Sequence, residues 1–153
     1  MGDERRGETF ARFIVRQWKR IETVLVVADG KGQVARKLAN KGLHCRVVEA
    51  SPRLAGNEHP RIVYQQGWFT ETSEVKEDLV VGMHPDEATA EIILAAIRND
   101  KPWAVVPCCV KGRHAKNVKN NFTAWIDFLS RIGSPCRTAN LPISGRNIIL
   151  YSK

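Results

Sequence analysis

The chain has no long hydrophobic run. Its apolar stretches, such as Val24 to Ala28 and Trp103 to Val106, fall far short of the roughly 20 residues a bilayer-crossing helix needs. A membrane-spanning helix is excluded, and no membrane partner is expected. Cysteine is scarce: Cys45, Cys108, Cys109 and Cys136 are the four, and the adjacent pair is badly placed for an ordinary disulfide, which suits free thiols in a reducing compartment. With 11 Gly and 7 Pro the chain is neither low-complexity nor collagenous. Acidic residues are outnumbered, 16 against 24 Lys and Arg. The resulting +8 charge draws anions to the surface and is compatible with a nucleic-acid partner. The opening MGDERRGETF has no apolar core followed by a small-residue cleavage site, so a secretory signal is not expected and the cytosol or nucleus is.

What is present is an ordinary globular balance, 43% apolar and 26% charged over 153 residues. No repeat, linker or composition shift divides it, so one domain over 1–153 is expected. Short apolar runs alternate with helical ones. Phe10, Phe13, Ile14, Trp18 and Ile21 fall on one face of a first helix, and Thr23 to Val27 reads as a buried strand. Gln33 to Lys41 is a helix stopped by Gly42, and Cys45 to Glu49 a second strand; Arg61 to Tyr64 and Leu79 to Gly82 follow as strands three and four. Pro85 and Asp86, the latter as N-cap, open a helix carrying Ala88, Ile92, Ile93, Ala96 and Ile97. Trp103 to Val106 is strand five, Asn120 to Arg131 a helix ended by Gly133, and Arg137 to Ser152 a terminal hairpin turning at Ser144-Gly145-Arg146. This alternation predicts a Rossmann-like, doubly wound α/β fold, a mostly parallel sheet with helices on both faces and an antiparallel C-terminal hairpin. Ligands of such sheets bind beyond the carboxyl ends of the strands.

The turn after the first strand, Ala28-Asp29-Gly30-Lys31-Gly32, lets backbone approach a ligand through its two glycines. The helix that follows offers free N–H groups, and Glu49 stands where an acid would hold ribose hydroxyls. A nucleotide-like ligand follows. Gly30-x-Gly32-x-x-Ala35 also fits the looser dinucleotide fingerprint, so NAD competes at this point.

Strand-turn-helix with Gly30-x-Gly32, Glu49 after strand two and the terminal hairpin resemble the class I AdoMet-dependent methyltransferases over the chain from about Glu8 onward. Within that superfamily, Val81-Gly82-Met83-His84-Pro85-Asp86-Glu87-Ala88-Thr89 and Val106-Pro107-Cys108-Cys109 resemble a branch distantly related to tRNA 2′-O-methyltransferases. Two positions depart from the superfamily pattern: Val26 stands where the first strand usually carries an acid, and Ala28 where the first glycine falls.

The resemblance implies S-adenosyl-L-methionine (AdoMet) as cofactor, with Asp29, Gly30 and Gly32 at its methionine end and Glu49 on the ribose. The adenine would lie near Gly67 and Trp68 and against Met83 and His84. Trp68 either stacks on the purine or closes the core. His84 is the side chain best suited to exchange a proton near neutral pH, or else it orders the following turn. Asp86 either caps a helix or removes the proton of an acceptor hydroxyl. Cys108 and Cys109 are expected to line the pocket; their spacing to His114 and Cys136 matches no zinc pattern, and no metal is expected. Lys111, Arg113, Lys116 and Lys119, with Arg146 from the hairpin turn, form a candidate phosphate-backbone surface, or a solvated loop. The expected activity is methyl transfer to an RNA acceptor, with a protein partner as a further source of specificity. The alternatives are a non-catalytic binding module that keeps the fold, for which Val26 speaks, and a nicotinamide dinucleotide-binding protein.

Overall fold

A computed structural model of the chain describes residues 5–30, 32–50 and 58–153. Seven strands form one sheet: β1 (Thr23–Val27), β2 (His44–Glu49), β3 (Ile62–Gln66), β4 (Leu79–Met83), β5 (Trp103–Val106), β6 (Cys136–Asn140) and β7 (Ile148–Ser152). Their order is β3-β2-β1-β4-β5-β7-β6. The first five run parallel, and β7 is antiparallel to both β5 and β6. Four helices are described: α1 (Arg6–Gln17), α2 (Gln33–Asn40), α3 (Thr89–Arg98) and α4 (Phe122–Ile132).

Strand β1 is apolar and buried from Val24 to Val27 because both its faces are covered, as in other helix-layered parallel sheets. Val24 and Val26 pack with Phe10, Ala11 and Ile14 of α1 and Val34, Ala35 and Leu38 of α2. Leu25 and Val27 pack on the other side, with Ile92, Ile93 and Ala96 of α3 and Trp125 and Leu129 of α4. β1 lies between β2 and β4, with Val26 level with Val47 on one side and Val81 on the other. The strand order reverses there, which opens a crevice at the carboxyl ends.

The expected architecture is the one found, with local corrections. Helix α1 ends at Gln17, where Trp18 N donates to Ile14 O, so Trp18 and Ile21 pack against the core from beyond the helix. Strand β3 runs two residues past Tyr64, because Gln65 and Gln66 continue the ladder opposite Val48 and Glu49. Asp86 is not an N-cap. A 3₁₀ turn over Asp86–Ala88 intervenes before α3, and the Asp86 side chain makes no capping bond. Asn121 does cap, accepting from Ala124 N at 3.0 Å and starting α4.

Candidate active site

The carboxyl ends of β1 and β2, with the segments after β3, β4 and β5, enclose a cavity of about 400 Å³, within the size range of small-ligand sites. Its walls include Ala28, Glu49, Gly67, Trp68, Asp86 and Arg113. A second cavity of about 520 Å³ adjoins it, sharing Val48, Gly67, Trp68 and Phe69 and adding charged Arg46, Lys76 and Glu77. Trp68 lines both and is 76% exposed, an unusual cost for a large aromatic ring, whereas Phe69 beside it is buried in the core. The core-lid reading therefore belongs to Phe69.

Three of the six described non-glycine residues with left-handed φ stand in the turns after β1 and β4. Ala28 has φ +57°, His84 +52° and Asp86 +51°, left-handed values that cost an L-residue about 1–2 kcal/mol each. Ala28 thus adopts the conformation a glycine takes without strain, and it lines the cavity at the end of β1.

Glu49 accepts from Gly30 N at 3.0 Å, so the glycine turn fixes this carboxylate at the cavity wall. Gly32 opens α2 at φ +79°, where a Cβ would come within 2.8 Å of the Tyr64 hydroxyl. Its freedom serves local packing, and neither Gly30 nor Gly32 lines the cavity.

Asp29 points elsewhere. Its carboxylate accepts from Val34 N at 3.1 Å and Ala35 N at 2.9 Å, holding the first turn of α2. Burial pushes its pKa up to about 7, against the two amide bonds and with help from the negative charge of Glu49. It borders a smaller cavity of about 130 Å³ shared with Arg6, Met83 and His84. A carboxyl raised in the fold favours the native state in its protonated form. The Asp29 contribution is therefore full below about pH 4 and lost as pH rises through about 7. Wild-type stability measured relative to Asp29→Asn by urea titration is expected to fall over that window. A difference independent of pH would refute the shift.

His84 also lies on the smaller cavity, not the larger. Its Nε2 is 3.0 Å from Arg6 Nη1 and 3.3 Å from Arg146 O. Because guanidinium only donates, Nε2 accepts from Arg6, and while it does so it cannot donate to the carbonyl or take a proton from an acceptor. Burial lowers its pKa further. Arg6 also donates to Ser144 O and Arg146 O, tying α1 to the hairpin turn.

The segments after β4 and β5 are held together at the backbone: His84 N donates to Val106 O at 2.8 Å. A Cβ on Gly112, whose φ is +102°, would stand 2.7 Å from Glu87 O. Cys108 Sγ lies 3.6 Å and Cys109 Sγ 3.9 Å from Asp86 Oδ1. The cysteines do not line the large cavity themselves; they back its Asp86 wall. Burial and the neighbouring Cys109 push the Cys108 thiol up to about 12, the reverse of an activated nucleophile.

Lys111, Arg113, Lys116 and Lys119 are all exposed on the loop after β5, with Arg113 3.3 Å from Glu71. The Arg146 guanidinium stacks 3.7 Å over Phe122, the first residue of α4 beyond that loop. The site therefore gathers Glu49, Gly67, Trp68, Asp86 and Arg113 around one cavity, while Asp29, Met83 and His84 fall on another. Sequence reasoning missed Arg6 as the partner of His84, since nothing in the chain pattern links positions so far apart.

No family model matches the chain, and no curated protein matches it. Solved structures do. CalS10, an amino pentose methyltransferase of Micromonospora echinaspora solved with SAM bound, superposes with a TM-score of 0.65 at 12% identity, covering 95% of this chain and 89% of that one. A TehB-like SAM-dependent methyltransferase from Corynebacterium glutamicum gives 0.60 at 17% identity, over 95% and 87%. A putative methyltransferase of an antibiotic biosynthesis pathway from Anabaena variabilis gives 0.57 at 16% identity; 87% of this chain spans 63% of that protein. None of the three is described as acting on RNA. At these identities the likeness establishes the fold, that of SAM-dependent methyltransferases.

Proposed function

We propose that the protein is an AdoMet-dependent methyltransferase with an RNA acceptor. The observation that carries the cofactor assignment is the cavity at the strand-order reversal, with a backbone-fixed carboxylate, Glu49, on one wall and an exposed indole, Trp68, on another. A nucleoside needs those two groups: an anionic acceptor for its ribose hydroxyls and a flat apolar surface for its base. Gly67 fits the same reading, since a Cβ there would meet nothing within 4 Å and the wall is open beside the indole. The bound cofactor supplies an electrophilic methyl group, so the protein's task is alignment and proton removal.

Asp86 fits proton removal better than His84. It lines the cavity, whereas the His84 lone pair is engaged by Arg6 and the ring borders the smaller cavity. The RNA assignment rests on the exposed cations of the loop after β5, which adjoin the cavity through Arg113, in a chain of net charge +8. A protein partner supplying further specificity is part of the same proposal.

The test is transfer of labelled methyl from AdoMet to total RNA, run beside RNA binding at several salt concentrations. Replacing Lys111, Arg113, Lys116 and Lys119 by Ala is expected to weaken binding of all sequences alike and to flatten the slope of log affinity against log salt by about 0.7 per lost phosphate contact. An unchanged slope would reduce the loop to a solvated surface and remove the reason for choosing RNA. AdoMet binding without transfer to RNA, protein or small metabolites would favour the non-catalytic module, to which Val26 in the place of the usual acid already points.

A further inference from the structure

Asp86, which lines the large cavity, and Cys108 and Cys109, which back it, form a cluster of metal-ligand atoms. The side-chain oxygen and the two sulfurs lie within 4.8 Å of one another. The edges of the triangle are 3.5 Å between the sulfurs and 3.6 and 3.9 Å from the sulfurs to Asp86 Oδ1. A tetrahedral zinc site has bonds of about 2.3 Å to sulfur and about 2.1 Å to oxygen, so its S–S edge is about 3.8 Å and its S–O edges about 3.6 Å. The three atoms therefore already outline one face of such a tetrahedron, to within about 0.3 Å on every edge.

We propose that Asp86, Cys108 and Cys109 bind one thiophilic divalent cation of the zinc and cadmium class, with water completing the fourth position. The donor set selects the ion: two thiolates favour a soft or borderline metal over Mg²⁺ or Ca²⁺, which take oxygen ligands. The ligands come from two segments that the fold holds together, since Gly112 packs on the Glu87 backbone and His84 N pairs with Val106 O. Little of the binding energy is spent bringing them together. All three side chains are at least partly exposed, so an ion can enter. Each cysteine binds as thiolate and gives its proton to solvent, so binding weakens as pH falls. Two thiolates, one carboxylate and a divalent ion leave a net charge of −1, in a chain whose net charge is +8. The sequence spacing gave no zinc pattern because the two sulfurs are adjacent and the third ligand comes from the end of another strand.

The test uses the full chain kept reduced by a phosphine and titrated with Cd²⁺, with Zn²⁺ in a parallel series. Wild type is expected to bind one ion per chain with a thiolate-to-metal charge-transfer band. Affinity should drop at least about 100-fold in Cys108→Ser/Cys109→Ser and at least about 10-fold in Asp86→Asn, while Cys45→Ser/Cys136→Ser binds like wild type. A measurement on wild type alone keeps the result independent of variant folding: Zn²⁺ should slow alkylation of Cys108 and Cys109 and leave Cys136 unchanged, as read by peptide mass. Absence of one-to-one binding, binding that survives loss of both adjacent cysteines, an Asp86→Asn variant that binds like wild type, or alkylation unprotected by Zn²⁺ would each overturn the proposal. None of these readouts depends on methyl transfer.

Discussion

Glu49→Ala is expected to weaken AdoMet binding by about 1.5–3 kcal/mol, roughly 10- to 150-fold in Kd, with the fold intact. The carboxylate lines the cavity, and Gly30 N fixes it there by a 3.0 Å hydrogen bond. A charge-assisted bond to ribose is worth that range because losing it leaves ligand hydroxyls facing alanine. Glu49→Gln separates the two functions of the side chain: its amide oxygen can still accept from Gly30 N, but the charge is gone, so its affinity should fall between wild type and alanine. Calorimetric titration of the three proteins with AdoMet, its demethylated product and NAD checks the series. Unchanged affinity in Glu49→Ala would remove the residue from the ribose site, and NAD binding as tight as AdoMet would replace the cofactor assignment itself.

The largest expected loss of stability is at Gly112. Its φ of +102° is a conformation that L side chains rarely adopt, and a Cβ there would stand 2.7 Å from the Glu87 carbonyl oxygen. Backbone strain of about 1–3 kcal/mol adds to a clash with backbone atoms that cannot rotate away, so Gly112→Ala should cost about 3 kcal/mol. For a chain of this length that lowers Tm by about 6–12 °C. Gly112 and Glu87 both line the large cavity, so AdoMet affinity should fall in the same variant even below its Tm. Ala28→Gly is the contrasting case: it relaxes a φ of +57° and should leave Tm unchanged or higher despite the greater chain entropy of glycine. A Gly112→Ala variant that melts with wild type would show that the loop after β5 is free to move away from the turn after β4.

The elements were legible because local physics dictates them. Val24 to Val27 and Trp103 to Val106 are unbroken apolar runs that suit a strand buried on both faces, and the stripes of α3 and α4 repeat at helical spacing. Alternation of these elements determined the parallel sheet, and with it the side of the sheet on which ligands bind. Glu49 and Trp68 were legible for the same reason: one ends β2 and the other stands just past β3, and strand ends converge.

Side-chain direction within the turns was decided only by tertiary packing. Asp29 and Glu49 are both acids beside the glycine turn, yet Glu49 lines the large cavity while Asp29 is drawn to the amides that open α2. Left-handed φ at His84 and Asp86 redirects the chain after β4, so that Asp86 lines the large cavity and His84 meets Arg6 on the smaller one; period and spacing carry no information about such a turn. The cluster of Asp86 with Cys108 and Cys109 exists because β4 and β5 are neighbours in space and end level with each other, a juxtaposition of residues 22 and 23 positions apart that no local pattern encodes. The sequence thus determined where in the fold the candidate site sits, and tertiary structure decided which side chains share it, because strand ends follow from burial while the aim of a loop residue follows from what packs against it.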